Sequence, residues 1–509
     1  MAIQSTNPTT REVIKTFEEE GRESVERKMS MAHEAFLKSK DVPIAQRAAF
    51  VKRMAEVLRV GKEEYARLMA LEMGKPIAQA RSEVEKCAWA CEVAGEYGPK
   101  WLEEEVIIPS PDLRSPSPQG RGEGEGRPGD PQKAYIRFEP LGVILAIMPW
   151  NFPFWQFFRF AAGALVAGNA IVLKHASNVP QCALAIEEVF HKAGAGDGLV
   201  QVVLIGSGSP SPDLRPPSPL ERGEGEGNRS IIESLIADPR IAAVTLTGST
   251  TAGKKVAEAA GRNVKKCVLE LGGSDPFIVL ADADIARAAQ VAVQARTLNA
   301  GQSCIAAKRF IVVKEIAEEF TKKFVAKMKN LIVGDPMDEN TQVGPLARRD
   351  LVDELDRQVK ESTAKGAKLL CGGQRIAPSP QSSPTGGEEV LAGYFYEPTV
   401  LTDVKPGMPA YREELFGPVA SVIIAEDADE AVRIANDSIY GLGAAIWTKD
   451  IAKAKQMACQ LECGAVFIND FVKSDPRLPF GGVKKSGYGR ELGIYGIKEF
   501  VNIKTVVVK

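Results

Sequence analysis

The chain has 509 residues, 44% of them hydrophobic, enough to bury large cores and to build more than one domain. A net charge of −2 gives no electrostatic case for nucleic acid or a membrane surface. Eight cysteines without dense spacing fit free thiols in a reducing compartment, and three histidines are too few for a histidine-rich metal site or a Cys-His protease.

The polar start, Met1-Ala-Ile-Gln-Ser-Thr-Asn-Pro, lacks a signal-peptide core, and the longest apolar run, Leu141 to Trp150, is far too short to span a bilayer. A cytoplasmic protein is expected. From Ile44 to Ala94 the sequence reads as helices, charged on one side and apolar on the other. Cys87/Cys91 and Cys459/Cys463, each four apart, read as one helix face rather than a metal clip. Gly142-Val-Ile-Leu-Ala-Ile-Met148 reads as a strand buried on both faces. A helix at Phe157–Val166, a strand at Ala170–Leu173, a helix at Ala183–Lys192 and a strand at Val200–Ile205 follow. A helix at Ile231–Ala237 and a strand at Ile241–Leu246 complete the alternation. The pattern predicts an α/β fold with a doubly wound parallel sheet, whose ligands sit at the carboxyl ends of the strands. A second α/β unit begins near Leu271. Its helix from Lys314 to Leu331 carries a core stripe of Ile316, Phe320, Phe324, Met328 and Leu331. The apolar tail, Phe500 to Val508, predicts a strand that must pair within the chain or with another subunit.

Two near-copies interrupt this pattern. Ser110–Gly126 and Ser211–Gly227 share 14 of 17 positions, and Ala377–Glu389 is a weaker relative. Their Pro, Gly, Ser and Glu content cannot bury enough apolar surface to offset ordering, which predicts disordered inserts at 109–132, 207–229 and 376–389. A partner-binding role is the alternative.

Four segments carry chemistry. Leu298-Asn-Ala-Gly-Gln-Ser-Cys304-Ile-Ala-Ala-Lys-Arg309 puts one cysteine in a small-residue, polar turn, where a substrate can reach it. A helix starting there would favour its thiolate. Pro149-Trp150-Asn151-Phe152-Pro153 follows the first buried strand. Val268-Leu-Glu270-Leu-Gly-Gly-Ser-Asp-Pro276 follows another and breaks at paired glycines. Glu413-Glu414-Leu-Phe416-Gly-Pro418 is a polar turn with an aromatic. In this order and spacing the four segments closely resemble the aldehyde dehydrogenase superfamily, from about Asn7 to Lys509.

The resemblance implies a chemistry that suits the residues. Cys304 attacks the aldehyde carbon as thiolate. The Asn151 amide and the Cys304 backbone N–H hold the resulting oxyanion. After hydride transfer to a nicotinamide, Glu270 is the general base that activates water against the thioester. Between Leu269 and Leu271, its pKa is open to elevation by desolvation. No G-x-G-x-x-G fingerprint opens a helix. The resemblance instead places the dinucleotide on Trp150, Lys174, Ser177, Gly248, Ser249, Leu271, Glu414 and Phe416. Gly248-Ser249 precedes a helix whose N-terminus can hold pyrophosphate. NAD-preferring members often carry glutamate where Ser177 stands. With a hydroxyl there, beside Lys174-His175, NADP is accepted and NAD remains the alternative.

For the substrate, Arg159 sits eight residues after Asn151, where the resemblance implies a substrate tunnel, and Ser474 would hydrogen-bond the same distal carboxylate. The Ser474–Gly482 segment and the Lys174-His175 pair resemble bacterial succinate-semialdehyde dehydrogenases. Leu298 stands where some members have a second arginine, which leaves a broader aldehyde range open. No cysteine neighbours Cys304 for a redox disulfide, and no metal is expected.

The implied organisation is a Rossmann-type cofactor domain (1–104 and 141–270), an α/β catalytic domain (271–465), and a small β oligomerisation element with the C-terminal segment (105–140 and 466–509). A homodimer or homotetramer is expected, acting on a small-molecule aldehyde. From another class, Gly248-Ser-Thr-Thr-Ala-Gly253-Lys254-Lys255 nearly matches the phosphate-binding loop of nucleotide triphosphatases. Lys255, however, replaces the hydroxyl that would bind magnesium. A catalytically dead relative is a third reading, and intact Cys304, Glu270 and Asn151 argue against it.

Overall fold

The structure, a computed structural model, describes residues 2–107, 133–206, 231–376 and 392–508. Two α/β sheets meet edge to edge. The first runs Gly487–Tyr488, Lys266–Glu270, Ile241–Thr247, Val143–Met148, Ala170–His175, Val200–Val202. Its four other pairings are parallel, and only Gly487–Tyr488 joins antiparallel. From Val143–Met148 the chain builds outward on one side, then returns to the other with Ile241–Thr247. That reversal is the switch point of a doubly wound sheet, where such folds bind ligands.

The second sheet runs Lys368–Cys371, Thr399–Thr402, Val419–Ala425, Ala307–Val313, Asp275–Val279, Gly443–Trp447, Ala465–Ile468. Only its first pair is antiparallel. The chain passes from the end of Lys266–Glu270 to the start of Asp275–Val279 through Leu271–Ser274 alone. The carboxyl edge of the first sheet is thereby brought against the amino edge of the second. A third, antiparallel sheet joins Glu105–Ile107, Lys133–Pro140 and Val501–Val508, so the apolar tail pairs within its own chain.

The predicted elements recur with shifted ends. The buried run becomes Val143–Met148, and Val200–Ile205 pairs only over Val200–Val202. The helix expected at Phe157–Val166 starts earlier, at Pro153, because proline suits a first helical position where no N–H is needed. It stops at Gly168 in the left-handed region, φ 104°. Lys314–Lys329 buries Phe320, Phe324 and Met328 as the stripe predicts, with Leu331 just beyond its end. Cys87 and Cys91 share a buried face of the Ile77–Trp101 helix. Cys459 and Cys463 do not share one, since their helix ends at Gln460. All eight cysteines are free. The Ser110–Gly126 and Ser211–Gly227 copies and Ala377–Glu389 lie outside the described residues. Among those described, no helix is long and apolar enough to cross a membrane, and no His/Cys/Asp/Glu group is arranged to hold a metal.

Candidate active site

The first buried strand ends at Met148, where Pro149 stops the ladder. Trp150 then packs its edge against Phe416, centroids 5.9 Å apart at 87°, with the Arg348 guanidinium 5.3 Å over its ring. Two residues far apart in sequence are thus brought together, as expected. Asn151 is buried, and three partners fix it. Its Nδ2 donates to the Gln302 carbonyl at 3.0 Å. Its own carbonyl accepts from Asn299 Nδ2 at 2.7 Å and from Lys75 Nζ at 3.0 Å. The Oδ1 atom is buried with no hydrogen-bond partner among the described residues. Lys75 is itself buried and paired with Glu83. The second Glu83 oxygen accepts the Phe154 and Trp155 N–H groups, at 3.0 and 2.9 Å. A carboxylate from another helix therefore caps the Pro153–Ala167 helix, whose own cap residue Phe152 has no side chain able to do so.

Cys304 sits in the turn before Ala307–Val313, at the amino edge of the second sheet. No helix starts there. The preceding helix ends at Thr297, and a strand follows the cysteine. No helix dipole favours the thiolate. Burial instead pushes the thiol up to about 12, with Arg159 and Lys308 pulling the other way. The turn is built from three left-handed residues in succession: Asn299 (φ 56°), Ala300 (φ 53°) and Gly301 (φ 76°). For the two non-glycine residues that conformation costs about 1–2 kcal/mol each. It is held by Arg296 Nη2 on the Gly301 carbonyl at 2.7 Å and by the Asn299–Asn151 bond. At Gly301 a Cβ would fall 2.3 Å from the Gly417 carbonyl oxygen, so only glycine fits. Beneath the turn, buried Lys308 Nζ donates to the Ser303 and Cys304 carbonyls, both at 2.7 Å.

Glu270 ends its strand fully buried, and neither carboxylate oxygen has a hydrogen-bond partner among the described residues. Desolvation raises its pKa far above the ordinary carboxylate range, with Glu491 adding to the rise and Arg159 opposing it. Arg159 Nη2 stands 4.0 Å from Glu270 Oε2. The placement of Arg159 departs from expectation. Its Nε is paired with the buried carboxylate of Glu491, its Nη2 donates to Thr247 Oγ1 at 3.2 Å, and its guanidinium lies 4.6 Å over the Phe480 ring. Most of its charge is committed inside the protein, and it cannot serve as a simple free clamp for a carboxylate. A buried guanidinium requires such a counter-charge.

Of the other predicted cofactor residues, Lys174, Ser177, Gly248, Ser249 and Leu271 stand at or just past the carboxyl ends of first-sheet strands, while Glu414 and Phe416 precede the Val419–Ala425 strand of the second sheet. Glu414 is half-buried against Gly272, where a Cβ would come within 2.4 Å of Glu414 Oε2. Its Oε1 accepts from the Gly273 N–H at 3.1 Å and faces Lys308 Nζ at 3.4 Å. Leu271 donates its N–H to the Ser486 carbonyl at 2.9 Å. Lys174 and His175 end the Ala170–His175 strand. His175 is buried, with Nε2 2.9 Å from the Pro153 carbonyl, and burial draws its pKa down to about 4. The positive charge expected of the Lys174-His175 pair is therefore that of Lys174 alone. Ser177 is half-buried in the turn that follows and does not cap the next helix. Glu72 takes the N–H groups of Gln181 and Cys182 there, at 3.0 and 2.8 Å. Ser249 does cap a helix, Thr250–Arg262, accepting from the Ala252 N–H at 3.2 Å. Gly253 and Lys254 lie inside that helix rather than in a loop, with Gly253 packed on Leu271. This overturns the nucleotide triphosphatase reading, since helical amides bonded to their own turns cannot cradle a phosphate chain.

Ser474 is buried and accepts a hydrogen bond from Lys86 Nζ at 2.7 Å. Sequence reasoning missed Lys75, Glu83, Lys86, Lys308 and Glu491. The available signal was a charged residue on the apolar stripe of an otherwise regular element, as with Glu83 and Lys86 on the Ile77–Trp101 helix.

The doubly wound sheet thus carries an amide and a buried carboxyl at its carboxyl edge, and a thiol stands at the amino edge of the second sheet. The aldehyde dehydrogenase family profile matches residues 1–506. A probable succinate-semialdehyde dehydrogenase (NADP+) of Synechocystis is 46% identical over 506 residues, 99% of each chain. The succinate semialdehyde dehydrogenase (NAD(P)+) Sad of Escherichia coli K12 is 44% identical, covering 99% of this chain and 97% of its own. The crystal structure of succinic semialdehyde dehydrogenase from Streptococcus pyogenes in complex with NADP+ superposes with a TM-score of 0.86, at 34% identity over 99% of both chains. The chain belongs to the aldehyde dehydrogenase family.

Proposed function

We propose that this protein oxidises succinate semialdehyde to succinate with NADP, NAD being the alternative cofactor. The carrying observation is that the Asn151 amide is bonded to the Gln302 carbonyl, two residues before Cys304, while unpartnered Glu270 faces Arg159 at 4.0 Å. The substrate and cofactor follow the names of the full-length relatives.

The residues present fit a dinucleotide. Glu414 Oε2 makes no hydrogen bond among the described residues, which leaves an acceptor for a ribose hydroxyl. Ser249 and Gly248 open the Thr250–Arg262 helix at the sheet's carboxyl edge, where N–H groups favour phosphate. Ser177 itself brings no carboxylate to the end of the Ala170–His175 strand, where Lys174 is the cation for a 2′-phosphate and the Glu19 carboxylate is the opposing charge that acts on it. When bound, the nicotinamide supplies the hydride acceptor.

The chain's own residues do the rest. The Cys304 thiol gives its proton to water as the substrate closes the site, its sulfur bonds to the aldehyde carbon, and the carbonyl π pair moves to oxygen. The second Nδ2 proton of Asn151 and the Cys304 N–H stabilise that oxyanion. Collapse expels the C–H hydrogen with its electron pair and leaves a thioester on Cys304. Glu270 takes a proton from water, the water oxygen bonds to the acyl carbon, and the C–S bond breaks to release the acid. A buried, hydrogen-bond-free carboxyl is a poor resting base, and Arg159 at 4.0 Å is the charge that draws it toward ionisation. Ser474 faces the distal substrate carboxylate in this reading, and Arg159, paired with Glu491, adds positive field.

Free thiols fit a cytoplasmic setting. Exposed Val106, Ile107, Ile503 and Val507 on the third sheet are the surface we assign to a homo-oligomer contact. Assaying succinate semialdehyde and butanal with NADP and with NAD tests the proposal. Equal efficiency on the two aldehydes contradicts the substrate, and a strong NAD preference contradicts the cofactor.

A further inference from the structure

Lys86 stands out among the cations near the centre. Lys75 faces Glu83, Arg159 faces Glu491 and Lys308 faces Glu414. Lys86 makes no ion pair with any described residue. Its Nζ donates to Ser474 Oγ at 2.7 Å and lies 4.4 Å over the Trp155 ring. An ammonium has three protons to donate, and this one has a single hydrogen-bond acceptor. Most of the side chain is out of water, and desolvation draws its pKa down to about 8. An unpaired buried cation is costly, and the cost is relieved by an anion.

The surroundings link Lys86 to the helix that carries Arg159. Trp155 and Arg159 are four apart on the Pro153–Ala167 helix and share a face. Arg159 is felt electrostatically by Lys86 and by Cys304. The Ser474 hydroxyl accepts from Lys86, so its own proton is free to donate. The pair therefore offers an ammonium and a hydroxyl, two donors side by side, which match the two oxygens of a carboxylate. Arg159, already balanced by Glu491, adds field rather than a clamp.

We propose that Lys86 and Ser474 together bind the carboxylate at the far end of the substrate, and that Lys86 is the residue that selects a semialdehyde of a dicarboxylic acid over an uncharged aldehyde. The proposal rests on the aldehyde-oxidising reading above. Lys86→Met keeps the apolar stem and removes the charge; Ser474→Ala removes the second donor; Lys86→Arg restores a cation. Each is assayed with succinate semialdehyde and with butanal, which has the same chain length and no charge. In Lys86→Met the kcat/KM ratio between the two aldehydes falls roughly tenfold to a hundredfold, the loss lying in KM, as for a hydrogen bond to a charged group. Ser474→Ala gives a smaller fall, and Lys86→Arg recovers part of the ratio. Inhibition by added succinate weakens in parallel. A ratio unchanged in both Lys86→Met and Ser474→Ala overturns the proposal while leaving the dehydrogenase intact. Wild-type protein inactive on both aldehydes overturns the underlying reading with it.

Discussion

Replacing Asn151 by alanine separates catalysis from folding. In the resting protein the side chain makes one hydrogen bond, Nδ2 to the Gln302 carbonyl at 3.0 Å, a net contribution of about 1 kcal/mol. Its Oδ1 is buried without a partner, and deleting such an atom recovers roughly 1–3 kcal/mol of desolvation cost. The bonds from Lys75 and Asn299 go to the Asn151 main-chain carbonyl and survive the substitution. The opposing terms leave stability within about 2 kcal/mol of the parent. The reaction has no such compensation. The second Nδ2 proton meets charge only when the carbonyl becomes an oxyanion, and losing one such donor costs about 2.7–4 kcal/mol, or 10²–10³ in kcat. Steady-state formation of reduced nicotinamide gives kcat, and thermal melting of the same preparation gives stability. A fall in kcat of less than about tenfold with an unmoved melting temperature refutes the oxyanion role. A large drop in melting temperature refutes the separation of the two effects.

Other outcomes follow from the same geometry. Glu270→Gln keeps acylation and loses hydrolysis: one equivalent of reduced cofactor per site forms in a burst, and turnover falls roughly 10²–10⁴-fold. In the parent, burial holds Glu270 protonated, so the hydrolysis rate climbs as pH rises and the free carboxylate becomes populated. A rate flat from neutral to alkaline pH contradicts that assignment. Alkylation of Cys304 in the cofactor-free protein is slow at neutral pH and keeps rising into the alkaline range, consistent with a thiol near 12; a plateau near neutrality contradicts it. Lys75→Met strands the Glu83 carboxylate in the core and destabilises by about 3 kcal/mol, the low end for a broken buried pair, because two backbone N–H groups remain on Glu83. Thermal melting reads this directly. Ser177→Glu lowers kcat/KM for NADP at least about tenfold while sparing NAD, as a like-charge contact with the 2′-phosphate requires.

The strands were legible because their apolar runs have no polar period to hide behind. Val143–Met148 is buried on both faces, and the sequence reads that way. Element ends were less legible, since caps can come from remote chain: nothing near Phe152 announces that Glu83 starts the Pro153–Ala167 helix. The four motifs named Cys304, Asn151, Glu270 and Glu414 as candidates by position alone. The environment of the thiol was less legible: three left-handed residues and a following strand stand where the sequence had left a helix start open. Arg159 showed the same limit. Its position predicted a substrate clamp, but its partner Glu491 lies more than three hundred residues away, and only the folded chain brings them together. Lys86 was invisible for the converse reason, being one lysine among many on a charged helix until Ser474 and Trp155 close over it.

The central claim is that the aldehyde carbon is carried as a thioester on Cys304 and released by Glu270. Intact-mass and peptide mapping of Glu270→Gln, mixed with succinate semialdehyde and NADP and quenched in acid, tests it most directly. The account predicts one adduct of the acyl mass on the Cys304 peptide, formed with one equivalent of reduced cofactor and absent from Cys304→Ala. Reduced cofactor without any adduct on Cys304, or sustained oxidation by Cys304→Ala, contradicts it.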